Sequence, residues 1–360
     1  MHRIHSIDYL RGLMALSVLL YHFMSWTIGV PDPSSVIGRL GIYGVSTFYI
    51  VSGMSLFIAY KSSTWGVIDI FYFVAKRYLR LIPAFWVACT LLIWMVSVMS
   101  PSFEITDDKI ISNFTLSFGF TKPGDYLTTG GWSIGNEMVF YAFFPLVMML
   151  PRFRPTLMII SLLLSFSIYW YFAFIKLTPS LDFGDQWYTY IDPMNQAFLF
   201  FAGVAIAWVS TTHKLMGNRS NTLILFASIA VFCFYPASGN QINIIYGWTR
   251  LAFTAACAAC CFAVLNTEFK INEFSKKILY TAGVLSYSLY MFHGIFADFS
   301  LQVIAPRLGI TTQSKQLALL LLVTLPALIL FTYFFFKFVE APVMSLGRHL
   351  KSGKYPAPAT

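Results

Sequence analysis

The stretch Ile7-Asp-Tyr-Leu-Arg-Gly-Leu-Met-Ala-Leu-Ser-Val-Leu-Leu-Tyr-His-Phe23 sets the fold class of the whole chain. It begins an apolar run of the length a membrane-spanning helix needs, yet it holds Arg11 and His22. Either side chain in hydrocarbon is costly unless it faces protein or water. Eleven residues at 100° per residue make three turns plus about 20°, so the two share one helix face, about 16 Å apart along the axis. That geometry suits a long ligand gripped at one membrane edge and worked on deeper in.

The remaining composition agrees with a membrane protein. Of 360 residues, 58% are hydrophobic and only 11% charged, against roughly 25% charged in a soluble domain. The net charge of +9 reads as orientation charge, because Lys and Arg concentrate in cytoplasmic loops; nucleic acid is not an expected partner. Cys89, Cys233, Cys257, Cys260 and Cys261 all lie in apolar stretches. The Cys257-x-x-Cys260 spacing has no His or carboxylate nearby, so small-residue packing is preferred and no metal is expected. The N-terminus lacks a small-residue cleavage site and reads as an uncleaved first span.

Ten spans are expected, at 8–28, 40–60, 81–100, 132–150, 156–175, 193–210, 221–236, 242–265, 278–301 and 316–338. The expected fold is thus an all-α polytopic helical bundle. With the N-terminus cytoplasmic, 17 Lys and Arg fall on the cytoplasmic side and 7 on the other, which favours N-in, C-in and an even number of spans. Residues 1–345 read as one integral-membrane domain and 346–360 as a short cytoplasmic tail, with no appended soluble domain. Thr106–Phe120 is expected to hold a short extracytoplasmic helix, and Ile68–Arg80 a basic segment feeding the third span. No internal repeat of the kind common in transporters is visible.

Five constellations carry the polar chemistry. Asp8 lies three residues before Arg11 and can neutralise it; snorkelling is the structural alternative for Arg11, whereas His22 sits deep and is a usual general base. Arg77 and Arg80 share a face ahead of Pro83, as either topology charges or phosphate ligands. Ser133, Glu137 and Tyr141, at i, i+4 and i+8 behind Trp132, form a polar stripe on the fourth span. Glu137 is a functional candidate, with pairing to Arg250 as its structural alternative. Ser286, Tyr290 and His293 share a face of the ninth span; interfacial anchoring is the alternative for the tyrosine, and a satisfied core histidine for His293. Gly44, Ser52 and Gly53 permit close helix packing.

Taken in order, these segments resemble integral-membrane acyltransferase family 3, the group that O-acetylates surface polysaccharides. The resemblance covers most of the chain. It rests on Leu10-Arg11-Gly12 with His22, the run Gly44-Val-Ser-Thr-Phe-Tyr-Ile-Val-Ser-Gly-Met-Ser-Leu-Phe57, and Arg77-x-x-Arg80 before Pro83. It rests further on Trp132-Ser-Ile-x-x-Glu137-x-x-Phe-Tyr141, Ser286-Tyr-Ser-Leu-Tyr-x-x-His293, and Glu340 with Pro342. Tyr49 and Met54 stand where Phe is more usual. Some relatives carry a C-terminal extracytoplasmic esterase-like domain; none is expected here.

The resemblance implies an acyl-CoA co-substrate, usually acetyl-CoA, no permanently bound cofactor, and a multi-pass protein of the bacterial cytoplasmic (inner) membrane. Its other expected partners are the lipid bilayer and a glycan or lipid-linked sugar such as O-antigen or exopolysaccharide; a homo-oligomer is compatible. Arg11, Arg77 and Arg80 would hold the CoA phosphates. His22 would act as general base or carry a transient acetyl group, with Glu137 orienting it or recognising the acceptor. Trp132 could stack on a sugar ring. Ser133 and Tyr141 are further acceptor-side candidates, and Ser286, Tyr290 or His293 could donate to the oxyanion. The main rival is a transporter or flippase of a glycolipid or small anion.

Overall fold

The computed structural model describes residues 5–99, 104–212 and 217–349. Among them there is no strand, and the chain forms ten long helical rods joined by short loops. In chain order the helices are α1 (His5–Ser25), α2 (Val36–Tyr60), α3 (Val67–Met99), the short α4 (Asp107–Phe114) and α5 (Phe118–Thr121), and α6 (Gly131–Phe153). They continue with α7 (Thr156–Tyr171), the short α8 (Trp187–Ile191), α9 (Pro193–Thr212), α10 (Asn218–Phe234), the single turn α11 (Ile242–Ile245), α12 (Gly247–Asn266) and α13 (Glu273–Phe299). A last rod, Gln313–Gly347, closes the chain.

Seven of these rods are long and apolar enough to cross a membrane. The other three, α1, α10 and α13, lie among them. α10 is apolar but shorter. α1 and α13 carry Asp8, Arg11 and His22, and the Ser, Tyr and His residues of span nine, and they pack on each other. The polar residues that lower their hydropathy are therefore held against protein, as their cost in lipid demands.

Glycine decides how close the rods come. A Cβ on Gly12 would lie 2.8 Å from Ala282 and Gly283, and one on Gly283 would lie 2.2 Å from the Asp8 carbonyl oxygen. α1 and α13 therefore touch backbone to backbone at the level of Arg11. At α2 and α9, a Cβ on Gly53 would lie 2.0 Å from the Phe200 carbonyl oxygen, and one on Gly203 would lie 2.0 Å from that of Ile50. The small residues of the Gly44–Gly53 run thus serve packing.

Caps and buried arginines pin the loops. Ser35 Oγ accepts the Gly38 N–H at the start of α2, and Asn272 Oδ1 accepts the Ser275 N–H at the start of α13. Arg39, 2% exposed, donates to the carbonyls of Pro33 (2.6 Å), Phe232 (2.7 Å) and Tyr235 (2.5 Å). It satisfies the C-terminal carbonyls that α10 leaves open. Arg250, also 2% exposed, donates to Asn195 Oδ1 at 2.7 Å and lies 4.0 Å over the Tyr169 ring. Two of the seven basic residues assigned to the outer side are thus interior struts.

The boundaries differ from expectation in three places. α3 begins at Val67 and runs unbroken through Pro83, so the basic segment and the span are one helix. The 104–121 region forms two short helices around a Leu116 turn with positive φ. The last rod contains two π-helical turns, Leu320–Thr324 and Phe336–Glu340, and continues helical to His349. The start of the expected 346–360 tail is therefore part of that helix, and residues 350–360 lie outside the described residues.

Candidate active site

A cavity of about 570 Å³ opens between α1, α2, α3, α6, α13 and the last rod. Its floor is basic. Arg11 Nη1 lies 3.9 Å from Asp8 and Nη2 donates to Ser55 Oγ at 3.3 Å. Arg77 and Arg80, one turn apart on α3, line the same space beside Lys76. Among the described residues neither arginine has a carboxylate within ion-pair distance. Arg77 Nε is buried without a hydrogen bond, and its guanidinium lies 6.0 Å over the Tyr60 ring. Guanidinium groups left open in this way are ready donors for an anion such as phosphate.

Ser133, Glu137 and Tyr141 line the cavity wall as their spacing requires. The Tyr141 hydroxyl donates to Glu137 Oε2 at 2.6 Å and lies 3.4 Å from Ser52 Oγ. Opposite, Glu340 is 3% exposed and accepts from Ser288 Oγ of α13. The π-helical turn at Phe336–Glu340 presents it, a local irregularity of the kind found at functional sites.

The cavity ends at Ser133 and Tyr290, which close on each other: Ser133 Oγ donates to the Tyr290 hydroxyl at 3.2 Å, and that hydroxyl to the Gly130 carbonyl at 3.4 Å. One turn further along α13 lies His293, fully buried. Its Nδ1 is 2.7 Å from the Tyr290 carbonyl oxygen and its Nε2 is 3.0 Å from Nδ1 of His22. A carbonyl only accepts, so Nδ1 of His293 carries the hydrogen and Nε2 is a lone pair when the ring is neutral. Nδ1 of His22 must then be the donor, and Nε2 of His22 is left bare. A backbone carbonyl and two imidazoles in series thus define which nitrogen of His22 is basic. The Trp26 ring runs parallel to both, within 13° of His22 at 5.2 Å and 18° of His293 at 5.7 Å.

Several expected roles move. Glu137 is hydrogen-bonded to Tyr141 in the arginine cavity, while the orienting partner of His22 is His293. Glu137 is not the counterion of Arg250 either, whose hydrogen bonds go to Asn195. Trp132 is 5% exposed, edge-on to Trp187, Tyr190 and Tyr49, so it packs inside an aromatic cluster instead of offering a ring face to a sugar. Each oxyanion candidate is already engaged: Ser286 Oγ donates to the Gly283 carbonyl, the Tyr290 hydroxyl points to Gly130, and both nitrogens of His293 are taken. Three site residues have no role in the motif reading. Trp26 stands four residues after His22, a spacing that places it on the same face; Ser55 and Ser288 carry no comparable signal. Among the described residues no group of His, Cys, Asp and Glu is arranged to hold a metal.

The architecture defines a class: a polytopic helical membrane protein with a charged cavity that ends one helical turn short of a pair made by buried His293 and half-buried His22. The chain belongs to the membrane acyltransferase family 3, whose acyltransferase domain matches residues 4–336. It is 25% identical over 319 residues to the O-acetyltransferase OatA of Staphylococcus aureus (strain NCTC 8325 / PS 47), covering 80% of this chain and 49% of that protein. It is 24% identical over 375 residues to the peptidoglycan O-acetyltransferase OatA of Listeria monocytogenes serovar 1/2a (strain ATCC BAA-679 / EGD-e), covering 95% of this chain and 56% of that one. A third relative, named as a candidate membrane-bound transacylase, is BcsY of Komagataeibacter xylinus, 24% identical over 308 residues with 81% and 72% covered. The chain spans about half the length of the OatA relatives. No solved structure matches it. The family match favours an acyltransferase over the transporter alternative.

Proposed function

We propose that this protein is a membrane-embedded O-acetyltransferase of the bacterial cytoplasmic membrane. It moves the acetyl group of acetyl-CoA to a hydroxyl of a sugar in a surface or lipid-linked glycan. The observation that carries this reading is the alignment of the basic cavity with the His293–His22 pair, which lies one helical turn beyond the Ser133–Tyr290 contact that ends the cavity. Arg11, Arg77 and Arg80 bind the CoA phosphates at the cytoplasmic edge, an orientation supported by the 17-to-7 distribution of basic residues. The pantetheine arm follows the cavity to Ser133 and Tyr290, and parting of that contact lets the thioester reach His22.

His22 Nε2 takes the proton of the attacking hydroxyl while its oxygen bonds to the thioester carbonyl carbon. The tetrahedral intermediate collapses, the C–S bond breaks, and the imidazolium returns the proton to the departing thiolate. His293 stays neutral, and its Nε2 accepts the Nδ1–H of His22 throughout. Parallel Trp26 adds a π surface beside the ring that becomes cationic.

The test uses the purified full chain in lipid nanodiscs with labelled acetyl-CoA and soluble peptidoglycan oligosaccharides, scoring CoA release and sugar acetylation. His22→Ala abolishes both. A well-inserted His22→Ala protein with wild-type turnover would refute the assignment.

A further inference from the structure

A thioester attacked at His22 develops negative charge on its carbonyl oxygen, and the site needs hydrogen-bond donors for it. Ser286, Tyr290 and His293 are engaged elsewhere. The turn Thr128-Thr129-Gly130-Gly131 at the start of α6 has donors to spare. It packs against the His293 segment of α13: a Cβ on Gly294 would lie 2.5 Å from Thr129 Oγ1, and one on Gly130 would lie 2.6 Å from the Tyr290 ring. Gly130 adopts φ +79°, which swings the chain into the helix without a side chain in the way.

α6 is 23 residues long, and no side chain caps its N-terminus. Of its first N–H groups, that of Gly131 goes to the Thr128 carbonyl and that of Ser133 to the Gly130 carbonyl, leaving Trp132 N–H open. The positive end of the helix dipole lies here too. A second, independent observation points the same way. Thr128 is fully buried, its Oγ1 has no hydrogen-bond partner among the described residues, and that oxygen lies beside the first turn of α6, 3.0 Å from where a Gly131 Cβ would stand. A buried hydroxyl without a partner is unfavourable.

We propose that the Thr128–Gly131 turn binds the carbonyl oxygen of the transferred acyl group, with the Thr128 hydroxyl and the open Trp132 N–H as donors. The inference rests on the acyl-transfer reading above. When the hydroxyl oxygen bonds to the acyl carbon, the carbonyl π pair moves onto this oxygen; when the C–S bond breaks, the pair returns to reform C=O. The turn holds the oxygen through both steps, and no proton is transferred to it.

Release of CoA thiol from acetyl-CoA by the purified full chain tests this, because it needs no identified sugar. Thr128→Val lowers kcat about 100-fold, the typical effect of losing one oxyanion donor, with the acetyl-CoA KM unchanged; Thr128→Ser retains activity. Thr128→Ala serves the same purpose if the valine protein is not monodisperse. Wild-type kcat in the Val or Ala protein beside an inactive His22→Ala protein would overturn the turn alone and leave Thr128 a water ligand. Equal losses in Val and Ser, or a loss confined to KM, would also overturn it. Wild-type turnover in His22→Ala would overturn the acyl-transfer reading and this inference with it.

Discussion

Replacing His293 tests the histidine pair most directly. His293→Leu keeps a side chain of similar bulk but removes the acceptor that stands 3.0 Å from His22 Nδ1. In the transition state that bond is charge-assisted, worth about 1.5–3 kcal/mol, and its loss strands a buried N–H at a further cost of about 1–3 kcal/mol. Allowing for relaxation, a loss of roughly 2–4 kcal/mol at 1.36 kcal/mol per decade lowers kcat about 30- to 1000-fold. The acetyl-CoA KM stays near wild type, because the arginine end is untouched. His293→Gln restores both a donor for the Tyr290 carbonyl and an acceptor for His22, so most of the loss is recovered. The assay is steady-state CoA release and acetyl transfer in nanodiscs, with size-exclusion profiles confirming the fold. Wild-type kcat in the leucine variant, or a glutamine variant as impaired as the leucine one, would refute the tautomer argument.

Two other outcomes follow from the geometry. Arg77→Gln and Arg80→Gln each raise the acetyl-CoA KM about 10-fold or more, the expected effect of one lost charge-assisted phosphate contact; with S-acetylpantetheine, which has no phosphate, the effect disappears, and an equal rise with both donors would assign these arginines to topology. Gly53→Ala drives a Cβ to within 2.0 Å of the rigid Phe200 carbonyl, so α2 and α9 separate and stability falls by about 1–3 kcal/mol or more; an unchanged thermal midpoint would mean the crossing is wrong.

The periodic features were legible from sequence. Arg11 with Asp8, Arg77 with Arg80, and the Ser133–Glu137–Tyr141 stripe all follow from residues three, four or eight apart, and helical geometry alone puts them on common faces. What was hidden is which helix meets which. Both Glu137 and His293 were polar residues in need of a partner near His22, and only the close approach of α1 to α13 through Gly12 and Gly283 selects the histidine. Trp132 shows the opposite failure: an aromatic beside a polar stripe suits a sugar platform, but three distant aromatics enclose it. Arg39 and Arg250 counted toward the outer side in the orientation tally, yet carbonyls and an asparagine hold both in the interior.

The histidine pair joins residues 271 positions apart. A chain still being inserted acquires Arg11, Arg77, Arg80 and Glu137 long before α13 enters the bilayer. Until then His22 has no partner to define its basic nitrogen, and the Tyr290–Gly130 closure does not exist. On the mechanism proposed above, a nascent or truncated protein therefore collects the donor without breaking its thioester. On the proposed mechanism, the order of the chain delays the chemistry until the bundle is nearly complete, sparing the acyl donor from partly built copies of the protein.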